Sequence, residues 1–379
     1  MLAKIVKQLD FDWISLVAML FLLVSGLIAI FSLSLEAERE GFNNFQKQVI
    51  FLIVALATFA VFSTADYQIW KSYSGFLYAV GVILLVAVLL FGASIRGTTG
   101  WFNLGIFNIQ PVELMKLFLI ISLAKYFSQI QVQITLKKIA VSFIYTLIPV
   151  ILAMLQPDMG SAVVMIVIWF GMLFLAGTKK QYVAGIILAG FVIITLGWGT
   201  ILNDYQKDRI QSFMDPERDP LGSGYNVIQS VIAIGSGGIT GKGLGHGSQS
   251  QLNFLPEKHT DFIYAAIAEE SGLIGTGLII LFFGILLWRM GKTIDLSKDT
   301  FGKFLVGGVI IMIFFQTFLN IGMNLGIMPI AGLSLPFLSY GGSFLIVTLA
   351  SMGLVQNVWR KTKKQKTSIT EESYEQFDI

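Results

Sequence analysis

The sequence predicts an all-α polytopic membrane protein, a bundle of ten transmembrane helices with one long extracytoplasmic loop between the seventh and the eighth. Hydrophobic residues fill 55% of the 379 positions and charged residues only 13%, which is typical of chains that cross a membrane repeatedly. Apolar runs of about 20 residues, the length that crosses a bilayer, recur along most of the chain. They predict spans over residues 13–34, 45–64, 74–92, 110–128, 139–155, 159–177, 182–202, 260–288, 303–327 and 338–358.

The positively charged residues indicate how these helices are oriented. Lys and Arg collect at both ends of the chain and in every second loop, whereas the short loops of the other side are nearly bare of them, with Arg39 and Arg96 as exceptions. Because positively charged loops remain in the cytoplasm, we expect both termini to be cytoplasmic. The sequence contains no cysteine, so disulfides and thiol nucleophiles are excluded.

We expect one transmembrane domain, residues 1–360, followed by a disordered cytoplasmic tail, residues 361–379. The tail starts basic, ends acidic and has few apolar residues, as disordered segments do. The outer loop, about residues 203–259, has too many aromatic and aliphatic residues for a solvated tether. Long loops in compact bundles are usually functional or disordered. We predict a functional loop, with an interfacial helix over residues 225–234.

A glycine-rich run within this loop, residues 235–248, resembles a nucleotide phosphate loop only superficially. That motif requires a glycine and a Ser or Thr at positions that here hold Ser236 and Gly243. Two interpretations stay open. The glycines could let backbone amides and Lys242 bind an anionic headgroup or pyrophosphate, or the run could be a tight, flexible loop.

Residues 253–272 place Asp261 at the mouth of the eighth predicted span. A carboxylate inside a bilayer costs roughly 2.5 to 3.5 kcal/mol, so Asp261 needs a partner or a function. We expect it at the helix start, where a substrate from outside can reach it. Glu269 follows about 12 Å deeper, at about 1.5 Å per helical residue. We expect Glu269 to support the site by pairing with buried polar groups, and Glu270 to fix the position of the helix.

The fourth predicted span begins with Gln110 and a proline and continues to Glu113 and Lys116. Residues three apart share one helical face, so Glu113 and Lys116 are expected to neutralise each other inside the membrane. A second interpretation, in which Lys116 also faces an anionic substrate, stays open. Gln110 is a candidate supporting residue beside them.

Two polar segments, residues 156–161 and 329–343, place Pro and Gly at the membrane edge. Such backbone is tolerated where protein or water satisfies its polar groups. Both segments could be tight outer turns. Alternatively, the second, which contains Ser339, forms a re-entrant wall of a polar cavity.

Metal ligands are scarce in the sequence. The two histidines, His246 and His259, have no carboxylates spaced with them on one helical face, so they do not form a zinc pattern. A hard divalent cation such as Mg²⁺ or Mn²⁺ stays possible, since it needs few protein ligands when a pyrophosphate supplies the rest.

Several long and unusual motifs resemble the SEDS family of shape, elongation, division and sporulation proteins. They are the runs 209–224 and 235–272, Gln156-Pro-Asp158 and residues 336–343, and the resemblance extends over residues 10–360. Residues 247–252 are more similar to the RodA branch than to the FtsW branch.

The resemblance implies a peptidoglycan glycosyltransferase of the bacterial cytoplasmic membrane, active in cell elongation and shape maintenance. Such an enzyme polymerises lipid II into undecaprenyl-linked glycan strands at the outer face and releases undecaprenyl pyrophosphate. It works among membrane lipids with a class B penicillin-binding protein as transpeptidase, and not with nucleic acid. Asp261 matches the essential loop aspartate of the family, as general base or metal ligand. Glu113, Lys116 and Arg209 match positions of its polar cavity.

Three alternatives differ in function. A flippase for lipid-linked precursors also suits a bundle with broken helices and buried charges. A scaffold that recruits cell-wall synthases leaves Asp261 without a purpose. An FtsW-like division paralogue shares the chemistry and differs in its cellular role.

Overall fold

The computed structural model describes residues 10–35, 39–95, 98–103, 105, 108–130, 134–197, 204–215, 223–252 and 254–375. Most of these residues are helical. The helices are α1 (Trp13–Ser34), α2 (Arg39–Thr64), α3 (Tyr67–Ser72), α4 (Ser74–Phe91), α5 (Pro111–Ser128), α6 (Leu136–Leu155), α7 (Met159–Leu175), α8 (Lys180–Gly197), α9 (Asp204–Met214), α10 (Ser223–Gly237), α11 (Ser248–Gln251), α12 (Ile263–Leu296), α13 (Thr300–Asn324) and α14 (Gly342–Glu375). Three short strands, β1 (Ala93–Ile95), β2 (Thr98–Asn103) and β3 (Asn108–Ile109), lie between α4 and α5.

Seven helices in the described part of the chain are long and apolar enough to cross a membrane. They are α1, α2, α4, α6, α12, α13 and α14. The apolar helices α7 and α8 are shorter, and α5 carries Glu113, Lys116 and Lys125 within 18 residues. The polytopic helical architecture is therefore confirmed. These ten helices coincide with the ten predicted spans, and the number of membrane crossings stays a prediction.

Helices α13 and α14 form the centre of the bundle. About two thirds of the apolar stretch of α13 (67%) and most of that of α14 (78%) is buried, against 11% for α2. Helix α14 packs along α2, and α12 packs against α1, α10 and α13. The core residues are mostly Leu, Ile, Val, Met and Phe. A bundle of this kind leaves its outer helices with one apolar face for lipid.

A small antiparallel sheet, ordered β1-β2-β3, makes the fold less purely α-helical than predicted. Ala93 pairs with Trp101, and Phe102 pairs with Ile109. Thr, Ile, Trp and Phe favour strands, but strands of two to six residues are invisible to a search for long apolar runs. The sheet leads directly into α5.

Helix α14 continues to Glu375, where the sequence predicted an end near residue 358 and a disordered tail over residues 361–379. Extending an existing helix requires no new nucleation, and the Lys, Gln and Glu residues of this stretch are good helix formers. Lys363 pairs with Asp10 at 2.9 Å, and Lys361 pairs with Asp66. Residues 376–379 lie outside the described residues.

The segment between α8 and α12, which includes the predicted outer loop, contains more structure than a tether. Helices α9 and α10 and the short helix α11 all lie within it, and α10 covers the predicted helix over residues 225–234. The Ser230 hydroxyl donates to the carbonyl of Asn324 at 2.8 Å. The loop is therefore packed onto α12 and α13. Parts of it, residues 198–203, 216–222 and 253, lie outside the described residues.

Candidate active site

Asp261 lies in a turn immediately before α12, because the helix begins at Ile263. The prediction that Asp261 starts the helix is therefore wrong by two residues. Within the turn, the amides of Thr260 and Phe262 both donate to the carbonyl of Glu257, at 3.0 and 3.3 Å. Asp261 itself is half-buried. A turn leaves its own carbonyls without the helical partners that α12 would supply, so they need donors from elsewhere.

Two asparagines of α13 supply those donors to Asp261. The Nδ2 atoms of Asn320 and Asn324 each donate to the Asp261 carbonyl at 2.9 Å, and both residues are fully buried. Asn320 Nδ2 also donates to the Leu333 carbonyl at 2.7 Å. Neither residue was predicted from the sequence. The available signal was a pair of amides one helical turn apart in an apolar span, where polar side chains are usually functional.

The segment of residues 329–343 forms a wall beside this turn. Ser339 Oγ donates to the Thr260 carbonyl at 2.6 Å, and the Tyr340 amide donates to the His259 carbonyl at 2.8 Å. Residues 335–339 are buried throughout. The expected supporting role of Ser339 has a structural basis here: its hydroxyl holds the turn that carries Asp261.

The carboxylate of Asp261 lies against the same segment. A Cβ atom built on Gly332 would be 3.8 Å from Asp261 Oδ2. The sequence neighbours of Gly332, which are Ala331 and Leu333, pack on Gly160 at the start of α7. A Cβ atom on Gly160 would be only 2.3 Å from the Ala331 carbonyl oxygen. Residues 331–333 therefore separate Asp261 from the start of α7.

A second polar cluster begins at the start of α7. Asp158 caps α7 by accepting the Ser161 amide at 2.9 Å. It also accepts Gln110 Nε2 at 3.3 Å, and the Gln110 amide donates to Ser343 Oγ at 3.1 Å. Gln110 thereby joins the starts of α5, α7 and α14, and its supporting role stays a prediction.

The predicted ion pair on α5 is confirmed. Lys116 Nζ lies 2.7 Å from Glu113 Oε1, and Lys116 is completely buried. The ammonium group also lies 6.0 Å from the centre of the Phe344 ring at the start of α14. Arg209 lies on α9 and is half-buried. It is therefore more accessible than Lys116 to a molecule at the outer surface.

The glycine-rich run packs against a break in α12. At Gly272 the backbone has φ 64° and ψ −161°, and the amides of Lys242 and Gly243 donate to the carbonyls of Glu269 and Glu270, both at 3.0 Å. A Cβ atom at Gly241 would be 2.1 Å from the Glu270 carbonyl oxygen. Glycine is needed here for the close approach of two backbones.

The two adjacent glutamates also bind this run with their side chains. Glu269 accepts Lys242 Nζ at 2.8 Å and the amides of Gln249 and Ser250, both at 2.9 Å. Glu270 accepts Ser32 Oγ, the Gly245 amide and Gln251 Nε2, at 2.7, 3.2 and 3.2 Å respectively. Within the run, the Gly245 amide binds the Glu270 carboxylate, and the amides of Lys242 and Gly243 bind the backbone carbonyls of Glu269 and Glu270, so these amides already have acceptors within the protein. The structure therefore favours a tight loop over a phosphate site, and it places Lys242 in an ion pair with Glu269.

Within the described part of the chain, no group of three or more His, Asp and Glu residues is arranged to hold a metal ion. A divalent cation near Asp261 would therefore need to take most of its ligands from substrate oxygens, as Mg²⁺ commonly does.

Comparison with known proteins identifies close relatives along the whole chain. The family model of the FtsW, RodA and SpoVE cell cycle proteins matches residues 13–364. The chain is 36% identical over 364 residues to the peptidoglycan glycosyltransferase MrdB of Escherichia coli K12, covering 96% of this chain and 97% of that protein. It is also 36% identical over 372 residues to the stage V sporulation protein E of Bacillus subtilis, covering 94% and 99%.

Solved structures share the fold. One is a chain from work on the structural coordination of polymerization and crosslinking by a peptidoglycan synthase complex, with a TM-score of 0.78, 31% identity and coverage of 93% of this chain and 98% of that chain. Another is the rod shape determining protein RodA of Thermus thermophilus, with a TM-score of 0.70, 27% identity and coverage of 93% and 97%.

Proposed function

Because this chain belongs to the FtsW, RodA and SpoVE family, we propose that it is a peptidoglycan glycosyltransferase that polymerises lipid II during cell elongation and shape maintenance. The observation that carries the proposal is the placement of Asp261. Its backbone is held by Asn320 and Asn324, while its half-buried carboxylate lies along the segment that leads to the polar cluster of α5 and α7. A carboxylate whose backbone is held in place and whose side chain is only half-buried has the arrangement that general base catalysis requires.

The reaction forms one bond and breaks one. The 4-hydroxyl oxygen of one lipid-linked disaccharide bonds to the anomeric carbon of the growing strand, and the bond from that carbon to undecaprenyl pyrophosphate breaks. Asp261 accepts the hydroxyl proton as general base. A single displacement inverts the anomeric centre and requires no covalent nucleophile.

The leaving pyrophosphate requires positive charge. Lys116 is buried and neutralised by Glu113 at 2.7 Å, so the pair supplies no net positive charge and contributes to the polar interior of α5. Arg209, which is half-buried, is the candidate for direct contact. Lys242 is engaged by Glu269, and we assign it to the scaffold of the site.

Asp261 could alternatively hold a Mg²⁺ or Mn²⁺ ion that neutralises the pyrophosphate. The two roles separate in Asp261→Asn. A ligand role raises the cation concentration needed for half-maximal activity, whereas a base role leaves the rate low at every cation concentration.

We further propose that ten helices cross the bacterial cytoplasmic membrane with both termini inside. The run of Lys and Arg from Arg360 to Lys366 supports a cytoplasmic end for α14. The buried pair of Arg289 with Asp12, at 2.7 Å, lies at the end of α12 away from Asp261. Asp261 then faces the outer surface, where lipid II is polymerised.

A class B penicillin-binding protein is the proposed partner, with lipid II and membrane lipids as the other bound molecules. Support comes from the 31% identical chain, which was solved as part of a peptidoglycan synthase complex.

The test is lipid II polymerisation by the purified chain with such a partner in vesicles. Asp261→Ala is expected to abolish glycan synthesis while leaving the protein folded, and Asp12→Asn provides a folded control remote from the site. Polymerisation by Asp261→Ala contradicts the proposal. Translocation of lipid II without polymerisation by the wild type indicates a flippase, and neither activity indicates a scaffold.

A further inference from the structure

A chain of contacts runs from Glu269 to the neighbourhood of Asp261. Glu269 is completely buried and accepts four hydrogen bonds from one short stretch of the outer loop. The donors are Lys242 Nζ at 2.8 Å, Ser248 Oγ at 3.3 Å, the Gln249 amide at 2.9 Å and the Ser250 amide at 2.9 Å. Bonds to an ionised acceptor are about twice as strong as neutral ones. Glu269 therefore fixes residues 248–250 against α12.

Lys258 continues this chain to the turn that carries Asp261. Its Nζ atom donates to the Ser250 carbonyl at 2.5 Å, and the side chain is buried. The Leu255 amide adds a second link, to the Gln249 carbonyl at 3.2 Å. Lys258 lies three residues before Asp261, so it joins the turn directly to the residues that Glu269 holds.

The turn is thus held from two sides. Asn320 and Asn324 bind the Asp261 carbonyl from α13, and Lys258, which lies in the turn, donates to the Ser250 carbonyl of the loop. We infer that Glu269 and Lys258 are positioning residues for Asp261, which act by holding the turn in place. The inference rests on the proposed function, because it takes Asp261 as the reacting carboxylate.

Positioning predicts an effect on turnover more than on substrate affinity. A displacement of about 1 Å in a reacting group can lower the rate about 100-fold. Glu269→Gln keeps the size of the side chain but loses the charge, and Lys258→Met keeps the apolar stem but loses the donor. Both are expected to lower kcat by about 10- to 100-fold and to change KM for lipid II by at most about twofold. Lys258→Arg, which restores a cationic donor, is expected to recover most of the lost kcat.

Two further variants separate positioning from general stability and from substrate binding. Asp12→Asn breaks the buried pair with Arg289 at the opposite end of α12, so it lowers thermal stability and keeps the wild-type kcat. Lys242→Met removes one of the four donors to Glu269 and retains both amides, so kcat is expected to fall by at most about threefold.

The experiment is steady-state lipid II polymerisation by the full-length chain with its partner, normalised to folded protein by thermal unfolding. A wild-type kcat in both Glu269→Gln and Lys258→Met, with Asp261→Ala inactive, overturns the inference and leaves the proposed function intact. A raised KM with unchanged kcat in Lys242→Met also overturns it, since Lys242 would then contact substrate. Activity in Asp261→Ala overturns the proposed function instead. If Glu269→Gln does not fold, Lys258→Met decides alone, because it leaves the four contacts of Glu269 in place.

Discussion

Replacing Lys116 with methionine is expected to reveal the cost of a buried, unpaired carboxylate. Lys116 is completely buried, Glu113 is 7% exposed, and their charged atoms are 2.7 Å apart. Removing one partner of a buried pair costs about 3 to 5 kcal/mol of unfolding free energy. Glu113 can instead take up a proton. That costs an ordinary glutamic acid about 3.7 kcal/mol at pH 7, from about 1.36 kcal/mol for each pH unit above a reference pKa of about 4.3.

The loss of stability in Lys116→Met therefore depends on pH. Its folded state binds one more proton than the unfolded state, so the loss shrinks by about 1.4 kcal/mol for each unit that the pH falls. In Glu113→Gln, Lys116 is left buried without its partner, and we expect a loss of about 3 to 5 kcal/mol.

The assay is the free energy of unfolding in mixed detergent micelles at pH 6, 7 and 8. The double variant Glu113→Gln/Lys116→Met is the matched control, because it removes both charges and is expected to lie within about 2 kcal/mol of the wild type. A loss of stability in Lys116→Met that stays the same from pH 8 to pH 6 would refute the reasoning. So would a double variant whose loss equals the sum of the two single losses.

Two other predictions concern the contacts around the site. Asn324→Ala removes a donor to the Asp261 carbonyl and the acceptor of the Ala265 amide. We therefore expect the free energy of unfolding to fall by about 1 to 3 kcal/mol and kcat to fall about tenfold. Wild-type turnover of this variant in vesicles contradicts the prediction. Gly241→Ala places a methyl group 2.1 Å from the Glu270 carbonyl oxygen, whereas Gly238, also at positive φ, has open space around it. Thermal unfolding should show a much larger loss in Gly241→Ala than in Gly238→Ala, which carries only the backbone cost of about 1 to 2 kcal/mol; equal losses would mean that close approach is not the constraint.

The helices were predictable because length and hydropathy are local properties. The apolar run of residues 13–34 coincides with α1, since every residue in it contributes to one continuous signal. The sheet of residues 93–109 was not predictable in the same way. Its strands are two to six residues long, and their pairing depends on residues that meet only after the chain turns.

The site was predictable where its contacts are local. Glu113 and Lys116 are three residues apart, and helical geometry alone brings them together. The roles of three other residues required the tertiary structure. Asn320 and Asn324 contact a part of the chain that is distant from them in sequence, and Lys258 acts through a turn. The glycine-rich run shows the same limit. Its composition permits close approach, but the sequence does not reveal that the approaching group is the backbone of Glu270 rather than a phosphate.

The displacement of Asp261 from the helix into a turn changes how the site is held. A residue inside α12 would have its carbonyl bound by the helix itself, and its side chain direction would follow the helix axis. In the turn, the Asp261 carbonyl depends on Asn320 and Asn324, and the neighbouring Thr260 carbonyl depends on Ser339. The position of the carboxylate is therefore the joint result of α13, residues 329–343 and the loop held by Glu269. A movement of residues 329–343 or of the loop held by Glu269 therefore reaches Asp261 through the turn, whereas the bonds from α13 tie the turn to the centre of the bundle.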